Sequence, residues 1–164
     1  MTTKYAQGTE VSPTRSRDEI ERTLQRFGAT KQLWARDDEL GRITVAFERQ
    51  GRAYRIAFLL PPLSEFSTYV RQGRSYPTPR VASAATAAQQ QEHRRLFRSL
   101  ANYIKAMLAA VDDGIISAEE ALLPYMMLKS GRTVSEEIEL NIDRVLAGAP
   151  ALPMLEGPRY GLPN

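Results

Sequence analysis

Residues 42–60 read RITVAFERQGRAYRIAFLL, and this stretch decides the fold. Ile43, Val45 and Phe47 alternate with Arg42, Thr44, Ala46 and Glu48, so one face is apolar and the other polar. After Gln50-Gly51-Arg52 the alternation resumes, with Tyr54, Ile56 and Phe58 on one side and Arg55 and Ala57 on the other. A glycine between two alternating runs predicts a tight hairpin turn with that glycine at positive φ. Pro61-Pro62 ends the second strand, because proline cannot donate to a ladder.

Working outward, residues 31–36 contain Leu33 and Trp34 and read as a third strand. The acidic Asp37-Asp38-Glu39 with Gly41 supplies the turn between them. An amphipathic helix precedes it. Ser16 is its expected cap, Asp18 and Glu19 suit its positive end, and Gly28 follows its last turn. Ile20, Leu24 and Phe27 recur at helical spacing, opposite Arg17, Glu21, Arg22, Gln25 and Arg26. Residues 1–15 are polar and read as a flexible arm.

Downstream, residues 63–88 form a long connection holding Tyr69, Arg71, Arg74, Tyr76 and Arg80, followed by a run of alanine, serine and threonine. Connections of this length inside a domain tend to be functional or disordered. A long helix is expected over 89–113. At about 100° per residue, Leu96, Leu100, Tyr103, Ile104, Met107 and Val111 share a face, with Phe97 and Leu108 at its margin. Arg94, Arg98 and Lys105 project from the other side, beside Arg95 and Asn102. Ser117 caps a short helix that Pro124 disrupts, 125–128 reads as extended, and Thr133 with Glu136 makes a capping box for a last helix running to Gly148. Residues 149–164 hold four prolines and form a tail. The expected fold is α+β: a three-stranded antiparallel sheet packed by an N-terminal helix and a long central helix, with a C-terminal helical subdomain and an extended tail. A single domain is expected over 16–148, divided into helix plus sheet (16–62), loop (63–88) and a helical part (89–148).

Composition narrows the function. The 164 residues include no cysteine and one histidine, His93. Disulfides, thiolate metal sites and cysteine catalysis are excluded, as is a multi-histidine zinc site. No run approaches the roughly 20 apolar residues of a membrane span, and the first residues lack a signal-peptide core. A cytoplasmic protein without membrane, metal or cofactor is expected. No phosphate-binding loop, nucleophile elbow or acid–base set is present, so the expectation is a non-enzyme.

The net charge is +3, and its distribution matters more than its size. Arg94, Arg95, Arg98 and Lys105 are interrupted by no acidic residue between Glu92 and Asp112. Joined to Arg71, Arg74 and Arg80, with Tyr69 and Tyr76 available for stacking, they read as a nucleic-acid-binding surface, weighed against an ordinary solvated face. Arg49 and Arg52 flank the hairpin tip and read as a second basic cluster, weighed against charge that protects an edge. Tyr125, Met126 and Met127, with Leu152, Met154 and Leu155 of the tail, read as an adaptable apolar surface for a protein partner or self-association, or else as part of the chain's own core.

The helix–strand–strand–strand–helix order over 16–113 resembles the double-stranded-RNA-binding domain, whose second helix starts with a Lys-Lys-x-Ala-Lys motif that touches phosphates. Arg94-Arg95-Leu96-Phe97-Arg98 has the same charge spacing, but Phe97 stands for the alanine, the first hairpin loop is acidic, and the connection before the helix is longer. Residues 14–21 and 129–134 are similar to stretches of small phage, prophage and mobile-element proteins, which implies a DNA-handling or host-interacting context. The function expected from the sequence is a nucleic-acid-binding accessory protein. The alternative is a protein–protein adaptor, an inhibitor or a subunit of a larger nucleoprotein assembly.

Overall fold

The computed structural model describes residues 4–71 and 75–147. Its order is α1 (Pro13–Arg26), β1 (Lys31–Asp37), β2 (Arg42–Arg49), β3 (Arg52–Leu59), β4 (Thr68–Val70), β5 (Pro77–Pro79), α2 (Ala82–Asp112), α3 (Ala118–Leu122), α4 (Val134–Glu139) and α5 (Ile142–Leu146). The α+β fold is as expected: β1, β2 and β3 form an antiparallel sheet in that order, packed by α1 and the long α2.

The hairpin closes with Arg49 paired to Arg52, leaving a two-residue turn. Gln50 and Gly51 both take positive φ, at 52° and 73°. That is the turn whose twist matches the flanking strands, and glutamine is strained in its first position. Two arginines directly opposite one another repel. The conflict is relieved because Arg49 folds over the Phe27 ring, 4.4 Å from its centroid, and donates to the Phe27 carbonyl at 3.0 Å. Gly41 is required at the other turn. Its φ is 62°, and a Cβ there would lie 2.8 Å from the Leu60 carbonyl oxygen.

Helix α1 starts earlier than expected. Ser12, not Ser16, is the cap, accepting from the Arg15 N–H at 3.2 Å, with Pro13 in the first turn. Proline suits that position because its missing N–H has no helical partner there. Ser16 is fully buried instead. The expected arm is docked where it is described: Lys4 pairs with Glu92, Tyr5 with Asn102, and Gln91 donates to the Gln7 and Thr9 carbonyls.

Helix α2 also starts earlier, at Ala82 rather than Gln89. The small-residue run is its first two turns, in keeping with the helix propensity of alanine. Its buried face is turned relative to the expected seam. Phe97, Ala101, Ile104, Met107 and Leu108 are buried, whereas Leu96 and Leu100 are partly exposed and Tyr103 is 46% exposed. Phe97 explains the rotation: it stacks on Trp34 at 6.3 Å and meets Phe58 edge-on at 5.3 Å. Ala101 lets the helix approach the inner sheet face of Val45, Phe47, Tyr54 and Ile56 and the α1 residues Ile20 and Leu24.

After α3, the chain returns to the sheet. Met126 bridges to Tyr54, and the Met127 N–H donates to the Ala53 carbonyl at 2.8 Å, at the start of the outer edge of β3. The Thr133–Glu136 capping box forms as expected and starts α4. The last helix is broken at Leu140-Asn141, where Asn141 leaves helical geometry with φ −124° and ψ 19°.

Candidate nucleic-acid interface

The cations of α2 do not form a free basic face. Arg95 grips Glu92 with two parallel bonds, Nε to Oε2 and Nη2 to Oε1, each 2.8 Å, and its side chain is only 14% exposed. Those bonds, outweighing the opposing effect of burial and helped by Lys4, hold the Glu92 carboxyl below its ordinary range. Arg98 donates to Glu19 of α1, and Lys105 lies 3.8 Å from the same carboxylate. Arg94 is partly buried, and its Nε has no hydrogen-bond partner among the described residues. The absence of acids between Glu92 and Asp112 is therefore deceptive for Arg98 and Lys105, whose carboxylate comes from α1.

The remaining expected contacts are divided in the same way. Arg49 is held by Phe27, and Arg52 lies 4.0 Å from Glu119. Arg55 bonds to Glu136 and to the Gly131 carbonyl. Arg80 covers the Tyr69 ring at 5.2 Å and donates to the Phe66 carbonyl at 3.3 Å. Thus Tyr69 is already stacked on the chain's own guanidinium. Arg71 and Tyr76 are exposed on the β4–β5 connection, while Arg74 lies outside the described residues. Tyr125 shares a hydroxyl–hydroxyl bond with Tyr103, while the backbones of Met126 and Met127 bond at the start of β3 and their side chains are half-buried. Leu152, Met154 and Leu155 also lie outside the described residues.

Removing these internal pairs leaves a different positive surface. Arg15, Arg22 and Arg26 are all exposed on α1. At about 100° per residue, spacings of seven and four place them on one stripe with Glu19. Arg22 bonds only to the Asp18 carbonyl, and neither Arg22 nor Arg26 has a carboxylate within ion-pair distance among the described residues. Arg22, Arg26 and Lys105 line one cleft of about 410 Å³ together with Glu19 and Thr23. An adjoining cleft of about 310 Å³ continues past Arg26 and Lys105 to Leu108 and Asp112. Sequence reading missed this stripe because it sought uninterrupted cations. The signal was the 7-and-4 spacing of Arg15, Arg22 and Arg26.

His93 sits 3.3 Å from the Pro61 carbonyl, a backbone contact within the fold. Among the described residues, no three acidic or histidine side chains are grouped to hold a metal ion, and no helix is long and apolar enough to cross a membrane. No family model, curated protein or solved structure matches the chain.

Proposed function

We propose that this protein is a non-enzymatic accessory protein that binds nucleic acid through its phosphates, using the α1 stripe rather than the start of α2. The observation that carries the reading is the convergence of Arg22 and Arg26, beside Lys105, in one open cleft whose single lining carboxylate, Glu19, is already shared by Arg98 and Lys105. Arg15 extends the stripe by about two helical turns, roughly 10 Å along the axis from Arg22. Guanidinium groups on a rigid helix suit paired contacts to phosphate oxygens. Arg71, exposed on the β4–β5 connection, offers an additional charge.

Fluorescence anisotropy with labelled single-stranded DNA, duplex DNA and duplex RNA at low salt tests the reading. Binding to at least one is expected, and Arg22→Glu with Arg26→Glu should weaken it on the order of 100-fold. Failure to bind any of the three, or binding indifferent to that double substitution, contradicts it.

A second reading is favoured by the outer sheet face. Leu33 and Leu59 are 63% and 64% exposed there, beside Ala35, Ala46 and Ala57. Exposed leucines on a flat, small-residue face suit a protein partner. An adaptor or assembly subunit would use this face.

A further inference from the structure

The two edges of the sheet are treated differently. The outer edge of β3 is bridged at its start, where Met126 and Met127 reach Tyr54 and Ala53. The outer edge of β1 carries no strand or bridge among the described residues. Proline, bulges and charged side chains are usual protections of an open edge, and of these β1 has only charges, with Arg36 on the inner face opposite Ile43. The seven residues of β1, KQLWARD, contain no proline or glycine and pair with β2 without a bulge. Their charges stand at the two ends, Lys31 at one and Arg36-Asp37 at the other.

We infer that β1 is a self-association edge, at which two copies pair antiparallel about a two-fold axis through Trp34 to form one six-stranded sheet. The register follows from charge. Centred on Trp34, it pairs all seven residues of β1 and places Lys31, which bonds Glu48 at 2.7 Å, opposite Asp37 of the second copy, which lies 3.5 Å from its own Arg42, so that the charges alternate across four strands, twice per dimer. Directly opposed side chains lie on the same face of an antiparallel sheet and interact there. Sliding the strands two residues in either direction removes both charge pairs. On the outer face, Leu33 meets Ala35 of the second copy, so two exposed leucines gain apolar neighbours.

The inner face supplies an independent observation. Gln32 donates through Nε2 to the Glu21 carbonyl at 3.1 Å, which fixes the amide, and its Oε1 is buried without a hydrogen-bond partner. In the same register Arg36 of the second copy stands opposite Gln32; its Nε pairs with its own Asp38, and its other guanidinium donors face that side. Space exists beside the edge: an open trough of about 840 Å³ lies between α1 and β1, lined by Glu21, Gln25, Gln32 and Trp34 among others.

Sedimentation velocity and hydrogen exchange on the full chain test the inference. A species of twice the 18.4 kDa chain mass is expected to grow with concentration. Amides of residues 32–36 should gain protection in step with it, while those of residues 101–108 stay constant. Lys31→Glu should raise the dimer dissociation constant about tenfold or more, and adding Asp37→Lys should restore it. A monomer at every concentration overturns the inference, as does a dimer whose β1 exchange ignores concentration. Should the charge-swapped chains fail to fold, the wild-type exchange experiment decides alone. If they fold, dimerisation unmoved by Lys31→Glu overturns the register.

Discussion

Arg98 of α2 and Arg22 of α1 flank the same carboxylate-bearing helix turn, yet they do different work. Arg98 turns inward and is held by Glu19, and Arg95 beside it is held by Glu92. Arg22 and Arg26 turn outward and meet no carboxylate among the described residues. Arg98 joins α2 to α1, and Arg95 closes a pair within α2. In the proposed reading Arg22 and Arg26 offer their charge to a ligand. For Arg98 the sequence does not distinguish these cases, because the deciding carboxylate is 79 residues away, whereas that of Arg95 is on the same helix.

Substitutions can break this contrast in order of expected effect. Arg22→Glu with Arg26→Glu should cost on the order of 100-fold in nucleic-acid affinity. The same change should move stability by only about 0.5 kcal/mol, as exposed substitutions usually do, measured by urea unfolding. Arg98→Ala should do the reverse. It strands the partly buried Glu19 beside the more distant Lys105 and should cost about 1–2 kcal/mol of stability, with affinity changed only a few-fold.

Glu92→Gln sharpens the inward half. The bonds from Arg95, opposed by burial and supported by Lys4, lower this carboxyl from its ordinary 4.5. A lowered folded-state value stabilises the fold above the unfolded value, and the contribution disappears as pH falls through the folded one. Urea unfolding at several pH values should show the variant less stable at pH 7, by about 1 kcal/mol for a partly buried pair, and converging on the wild type below about pH 4.5. Smallest is the hairpin tip. Gln50→Gly removes the positive-φ strain at Gln50 and should raise stability by a few tenths to about 1 kcal/mol. Its affinity for nucleic acid should not change, because Arg49 is held by Phe27 and Arg52 lies near Glu119.

The sheet was legible because period-two alternation in residues 42–60 admits one register, and a one-residue slip would expose the whole apolar set. The Ser117 and Thr133 caps were legible because capping is local chemistry. Three features were not. The alanine-rich start of α2 carries no periodic signal, since only Ala85 of its first six residues is buried. The face of α2 was set by Phe97 wedging between Trp34 and Phe58, which is a tertiary choice. The return of Met126 and Met127 to β3 joins residues more than seventy positions apart. The candidate interface shifted for the same reason: ion pairing is settled in three dimensions, and it redistributed the arginines that the sequence displayed together.

The inward–outward distinction is tested most directly by the salt dependence of binding. Affinity for the tightest-binding nucleic acid should be measured across a salt series for the wild type, Arg22→Ala/Arg26→Ala and Arg95→Ala. Every phosphate that a variant no longer neutralises should reduce the log–log slope by about 1. A drop of about two in the Arg22/Arg26 variant, with the Arg95 slope unchanged, is the expected result. A slope that falls for Arg95→Ala and holds for Arg22→Ala/Arg26→Ala would contradict it.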